Sequence, residues 1–282
     1  MTKDSRTRPQ TQEGQETPVT ARSATVPRPD SGRADGPAPS YQRIAAQTRF
    51  EAATILANGE QLVLTFVLPV LALLAVVHLT WIPLPVPTGA SRVDVTVPGV
   101  LAVAVVSTAF TGQAIATAFD RRHGVLRLLG TTPLGRGGLL AARFLAVLTV
   151  VLVQSLLLGG MGLALGWRPA AAGIPVAVAF IVLGCLCFLA LGLLLGGTMR
   201  AEGVLAVANL VWVLLTAAGG LLLPSHATGA PSEVVRLLPS GALGDGLRSA
   251  LVSGRVDATA VGVLLVWTTL SVLAARRWFR WD

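Results

Sequence analysis

Six apolar segments, each at least 18 residues long, have interiors without Asp, Glu, Lys or Arg. A helix rises about 1.5 Å per residue, so each segment is long enough to cross roughly 30 Å of hydrocarbon. Charged residues make up 13% of the 282-residue chain, against about 25% in a soluble domain. The mean hydropathy is +0.69. The sequence therefore predicts an all-α membrane protein with six transmembrane helices, near residues 61–81, 97–118, 144–167, 174–197, 203–223 and 258–275.

The segment before the first span divides into two parts. Residues 1–39 are rich in Pro, Thr, Ser, Gly, Arg and Gln, which predicts a disordered cytoplasmic tail. Residues 40–60 are predicted to form an amphipathic helix on the membrane surface, because apolar residues recur at spacings of three, four and seven. The apolar stripe comprises Tyr41, Ile44, Ala45, Thr48, Ala52, Ile55 and Leu56, while Arg43, Gln47 and Glu51 lie outside it. Residues 61–282 then form the six-span domain.

The basic residues predict the orientation of the chain in the membrane. The net charge is +8, and 17 of the 22 basic residues fall before the first span, in the loop 119–143, at Arg200 or at the C-terminus. Cytoplasmic loops carry an excess of Lys and Arg, so both termini are predicted to be cytoplasmic. This topology explains the positive charge without a nucleic-acid partner. Trp81, Trp167, Trp278 and Trp281 lie at span ends, as expected for an aromatic belt.

The predicted cytoplasmic loop 119–143 alternates arginines with an apolar cluster. Asp120 is a candidate N-cap for a short helix, and Gly130 is a candidate C-cap. Thr132 followed by Pro133 predicts the start of the next helix. Two interpretations stay open: the loop docks on a partner domain, or its leucines rest on the membrane surface. The cluster comprises Val125, Leu126, Leu128 and Leu129, with Arg121, Arg122 and Arg127 between and beside them.

The sequence lacks the motifs of several energy-using or hydrolytic proteins. It contains no G-x-x-x-x-G-K-[ST] phosphate loop, and its single lysine, Lys3, lies in the predicted tail. It contains no H-E-x-x-H and no G-x-S-x-G motif. A proton- or sodium-driven transporter usually carries an ionisable residue within its spans. Cys185 and Cys187 lie in one apolar span and are interpreted as packing residues.

Polar side chains within the spans allow two interpretations. Gln113, Gln154 and Asn209 are suited to hydrogen bonds between helices, worth about 1 kcal/mol each, or to lining a pathway for an amphipathic substrate. The pairs Gly162-x-x-x-Gly166 and Gly192-x-x-x-Gly196 fit dimerisation and internal packing equally.

The predicted outer loop 224–257 contains two short amphipathic patterns. Ser232 is a candidate cap for the first pattern, Pro239 breaks it, and Ser240 is a candidate cap for the second. The second pattern places Leu243, Leu247, Ala250 and Leu251 on one face. The pair predicts short interfacial or partly re-entrant helices before the last span.

Three features resemble the permease subunits of type-2 ABC exporters, the class that includes daunorubicin-resistance permeases. The surface helix 41–56 leading to Leu68-Pro69 resembles that family's elbow helix and first span. The segment from Phe119-Asp120-Arg121-Arg122-His123-Gly124 to Thr132-Pro133-Leu134 resembles its coupling-helix loop. Leu238-Pro239-Ser240 and the residues up to Gly254 resemble its outer segment before the last span. The resemblance covers roughly residues 41 to 278.

The resemblance implies a half-transporter with two permeases and two separate ATP-binding subunits. The permease itself would bind no cofactor, because ATP and Mg would be held by the partner ATPase. The second permease could be an identical or a different chain. The substrate would be hydrophobic or amphipathic, such as a drug, a lipid or a glycan precursor. The residues implied in coupling are Asp120, Arg121, Arg122, Gly124, Val125, Leu126, Arg127, Leu129, Thr132 and Pro133.

Two other classes of function remain as alternatives. An ion-coupled secondary transporter is disfavoured by the uncharged spans and by the lack of a clear internal repeat. A membrane enzyme or assembly factor that processes lipids would need a carboxylate pair or a histidine cluster at the membrane face. Asp94 and Asp120 are predicted on opposite sides of the membrane, and the three histidines do not cluster in the sequence.

Overall fold

The structure is a computed structural model that describes residues 39–57, 59, 63–79, 84–126, 134–229 and 231–279. Within these ranges every regular element is helical. The predicted tail, apart from Pro39, lies outside the described residues. The principal helices are α1 (Ser40–Ala57), α2 (Leu68–His78), α3 (Arg92–Arg122), α4 (Gly135–Ala164), α5 (Ile174–Thr198), α6 (Ala201–Ala217), α7 (Ser232–Leu237), α8 (Pro239–Ser253) and α9 (Ala258–Trp278).

Four of the six predicted spans are confirmed as helices long and apolar enough to cross a membrane: α3, α4, α5 and α9. The other two are shorter in the described residues. α2 has 11 residues and follows a π-helical turn at Val63–Val67, and the ends of the predicted span 61–81 lie outside the described residues. α6 has 17 residues and stops at Ala217, before Gly220 adopts a positive φ of 79°. The six-span count therefore stays a prediction.

Helix α3 forms the centre of the bundle and contacts α2, α4, α5, α6 and α8. Every residue from 95 to 106 is buried. A capping box starts the helix, since Ser91 Oγ accepts from the Asp94 backbone N–H at 3.3 Å and Asp94 Oδ2 accepts from the Ser91 backbone N–H at 2.7 Å. The cap holds the helix start at Arg92, five residues before the predicted boundary of the span.

Small residues let α5 approach α3 closely. A Cβ added to Gly192 would lie 2.7 Å from the Phe110 carbonyl oxygen, and one added to Gly196 would lie 2.5 Å from that of Ala114. Between α4 and α3, a Cβ added to Gly162 would lie 2.8 Å from Val97 Cγ2. Gly166 allows the chain to turn after α4, with a φ of 90°. Of the two interpretations of these glycine pairs, the structure supports internal packing.

The predicted outer loop contains two helices, as expected, but their predicted caps are wrong. Neither Ser232 nor Ser240 caps a helix with its side chain, and Pro239 occupies the first position of α8, where its missing N–H has no cost. Helix α8 is buried against α3, α5 and α9. Arg248 of α8 connects this helix to the segment after α6, because its guanidinium donates to the carbonyl oxygens of Gly220 at 3.0 Å and Leu221 at 2.5 Å.

Candidate functional site

The site begins at the C-terminal end of α3. Asp120, Arg121 and Arg122 form the last turn of this helix, so the predicted N-cap role of Asp120 is wrong. The helix continues through Asp120 because nothing from Gln113 to Arg122 breaks it. Gly124 ends it instead, with a φ of 74° that only glycine adopts readily. The predicted C-cap Gly130 lies outside the described residues.

A buried arginine joins three helices at this end of the bundle. Arg143 of α4 donates to Asp120 Oδ2 at 2.6 Å and Thr117 Oγ1 at 3.1 Å, both on α3, and to Glu51 Oε2 of α1 at 3.3 Å. Its side chain is 10% exposed. We call Glu51, Thr117, Asp120 and Arg143 the Arg143 cluster. A buried cation is stable only when its partners hold it, so the cluster fixes α1, α3 and α4 together.

Arg121 and Arg122 reach in the opposite direction, to the tight turn between α5 and α6. Arg121 donates to the Gly197 carbonyl oxygen at 2.5 Å and also to that of Met199. Arg122 pairs with Glu202 in the first turn of α6, and both side chains of this pair are more than half exposed. The two arginines therefore tether α3 to its neighbours, whereas the sequence predicted that they surround an exposed apolar cluster.

The apolar cluster itself is only partly described. Val125 is 38% exposed, whereas Leu126 is 2% exposed, so the prediction of an exposed side chain is wrong for Leu126. Arg127, Leu128, Leu129, Thr132 and Pro133 lie outside the described residues. Within this cluster, Val125 is thus the described side chain that a partner could contact.

Helix α1 contributes Glu51 to the site, although Glu51 lies outside the apolar stripe predicted for this helix. It packs along α4, where Thr48 donates to the Ala142 carbonyl oxygen at 3.4 Å. Its partly covered face includes Gln47 and Glu51, while Tyr41 is 69% exposed. The predicted apolar stripe of this helix did not include Glu51, because a pattern of apolar residues does not reveal a buried ion pair. The available signal was an acidic residue on the surface helix together with Arg143, the arginine that directly precedes the third apolar segment.

The sequence matches the family described as ABC-2 family transporter protein over residues 41–276. This chain belongs to the ABC-2 transporter family. No curated protein matches it. Family membership makes the chain a multi-pass permease component of an ABC transporter and places it among transporter subunits rather than enzymes.

The candidate pathway residues of this ABC-2 permease occupy different environments. Gln113 is buried in α3, and Gln154 of α4 accepts a hydrogen bond from Thr108 Oγ1 at 3.3 Å. Asn209 is exposed on α6, so it does not share the buried setting of the other two. The contact of Gln154 is the helix–helix hydrogen bond that one of the two interpretations predicted.

The hydrogen bond of Gln154 falls at an irregular segment of α3. Residues Ser107–Gly112 form a π-helix, a feature often found at functional sites. Trp212 Nε1 of α6 donates to Ser107 Oγ at 2.7 Å, so α3 exchanges polar contacts here with both α4 and α6. Among the described residues of the permease, no group of His, Cys, Asp and Glu could hold a metal ion.

Proposed function

We propose that the chain is the permease subunit of an ATP-driven exporter. It would move a hydrophobic or amphipathic substrate, such as a drug, a lipid or a glycan precursor, across the cytoplasmic membrane. The family match supports the transporter class. The sequence has no phosphate-binding loop, so ATP and Mg would be bound by a separate ATP-binding subunit. A second permease, identical or different, would complete the pathway.

The observation that carries this proposal is the convergence of contacts at Asp120, Arg121 and Arg122. Three consecutive residues of α3 hold α1 and α4 through Arg143, and the α5–α6 turn through Gly197, Met199 and Glu202. A force applied to the chain just after Arg122 would therefore reach five helices. A subunit that closes on ATP would need such a point of application, because the permease has no energy source of its own.

The proposed coupling segment runs from Asp120 to Pro133. Asp120, Arg121 and Arg122 would transmit the force, and Gly124 would turn the segment out of α3. Val125, with its partly exposed side chain, would contact the ATP-binding subunit. Arg127, Leu129, Thr132 and Pro133 would complete the docking element, as the family resemblance implies. Leu126, which the resemblance also includes, is buried and would support the segment by packing inside the bundle. Both termini would lie on the same, cytoplasmic side.

The chemistry of the spans supports an apolar or amphipathic substrate. α5 carries no charged residue, and α3 is apolar along most of its length. A polar or charged substrate would need more ionisable partners within the spans.

Replacing Val125 by Glu tests the docking role. Since Val125 is partly exposed and outside the Arg143 cluster, the variant should insert and fold but lose co-purification with the ATP-binding subunit. Val256→Glu is the matched control, because Val256 is 60% exposed between α8 and α9, far along the chain from the proposed surface. Unchanged co-purification of the Val125 variant would contradict the docking role.

Transport in vesicles separates export from the alternative functions. Reconstituted permease and ATPase should move a fluorescent amphipathic probe only when ATP and Mg are supplied. Movement driven by a proton or sodium gradient without ATP would instead identify a secondary transporter. Chemical conversion of an added lipid would identify a lipid-processing protein.

A further inference from the structure

A groove of about 340 Å³ lies between α4, α5 and α9, at the end of the bundle that also holds the Arg143 cluster. Its walls are apolar, and a single charged side chain, Arg276, stands among the lining residues. Three of the four membrane-length helices form it, so it belongs to the part of the chain embedded in lipid. The residues that define it here are Phe144, Leu186, Leu193, Val272, Arg276 and Phe279.

Phe279 of the segment after α9 lines the groove. Its ring packs directly on Gly197, where even a Cβ would collide with the ring. The position of the ring thus depends on a glycine in the last turn of α5. The apolar lining of the groove suits a hydrocarbon chain.

Arg276 is exposed and has no hydrogen bond or ion pair with any residue that the structure describes. The acidic residues described at this end, Glu51, Asp120 and Glu202, already pair with Arg143 or Arg122. Arg276 therefore lies beside an apolar groove, and its donors have no acceptor among the residues that the structure describes.

We propose that this groove binds an anionic phospholipid, with an acyl chain between α4, α5 and α9 and the phosphate on Arg276. An acyl chain gains little by leaving other lipid for the groove, because lipid tails are as apolar as leucine. Selectivity must therefore come from the headgroup. An arginine binds phosphate through paired N–H donors, and basic pockets between transmembrane helices bind anionic headgroups.

A second copy of the chain is a weaker candidate for the groove. It would have to bring an acidic side chain to Arg276, and the acidic residues described at this end are paired within their own chain. The same positive charge that disfavours a second basic surface attracts an anionic lipid.

Native mass spectrometry of the full chain in detergent tests the proposal, with added phosphatidylglycerol or phosphatidylcholine of identical acyl chains. Wild type should retain phosphatidylglycerol preferentially. Arg276→Gln should lower that retention about five-fold, the effect of one arginine near an anionic surface, and leave phosphatidylcholine unchanged. Arg277→Gln is the matched control, since Arg277 is the exposed neighbour that does not line the groove.

A second variant tests the apolar groove independently of charge. Leu186→Trp should fill the groove and lower retention of both lipids, while Leu210→Trp, at an exposed position of α6, should not. Equal effects of Arg276→Gln and Arg277→Gln would overturn the site, because they would indicate general surface charge. Normal lipid retention by the Leu186 variant, or a change from dimer to monomer in its mass spectrum, would overturn it as well.

Discussion

Replacing Arg143 by Met would remove the cation that holds three helices together. Met is similar in length and apolar, so the change should leave little empty space in the bundle. It would leave the carboxylates of Glu51 and Asp120 without their shared partner, with side chains 13% and 28% exposed. Removing one member of a buried ion pair typically costs about 3–5 kcal/mol, because the remaining charge is desolvated and unpaired.

The expected loss of stability can be divided between the carboxylates of Asp120 and Glu51. Asp120 accepts at 2.6 Å and Glu51 at 3.3 Å, so Asp120 should hold the larger share of the interaction. We therefore expect Asp120→Asn to lower the free energy of unfolding more than Glu51→Gln. Arg143→Lys should recover only part of the loss, because an ammonium group lacks the planar fork that reaches three acceptors at once.

Thermal and SDS-induced unfolding of purified protein in detergent would measure these effects, and a double-mutant cycle between Arg143 and Asp120 would isolate their coupling. Arg122→Gln is the matched control, since its pair with Glu202 is largely exposed and should contribute about 1 kcal/mol or less. Equal losses for Arg143→Met and Arg122→Gln would refute the assignment of the Arg143 cluster as the structural junction of α1, α3 and α4.

Two further predictions concern the centre of the bundle. Gly196→Ala should sharply lower the yield of folded protein, because the added Cβ would collide with the backbone of α3. Gly160→Ala is the control and should be tolerated, because no atom lies within 4 Å of the added Cβ. Equal yields of the two variants in size-exclusion chromatography would contradict this packing. Gln154→Leu should lower stability by about 1 kcal/mol through the lost bond to Thr108 and leave the rate of transport unchanged. Slower transport at unchanged stability would instead assign Gln154 to the substrate pathway.

The proposed coupling segment and the Arg143 cluster share Asp120 at the end of α3. α1 does not lie alone on the membrane surface, because its covered face packs on α4 and its Glu51 reaches the buried arginine. A movement of the end of α3 would therefore carry α1 with it. This predicts a structural link between α1 and the proposed ATPase contact, a link that the apolar stripe of α1 did not indicate.

Much of the fold could be predicted from the sequence, because apolar length is a local property. The fourth predicted span, residues 174–197, corresponds closely to α5, which runs Ile174–Thr198. The second was predicted too short, because an N-terminal capping box and a C-terminal Asp-Arg-Arg turn extend α3 beyond its apolar stretch. Charged residues at a helix end do not show by themselves whether they belong to the helix or to the loop.

The apolar segments alone are enough to predict an all-helical membrane protein, because uncharged segments of this length have few other stable structures in lipid. It also located the basic segment that follows the second span. The contacts that those charged residues make depend on how the helices pack. Asp120 and Arg143 are 23 positions apart, and Arg121 and Met199 are 78 apart. Such pairings arise only when packed helices bring the side chains together, so no local pattern could distinguish an exposed arginine cluster from the junction of five helices.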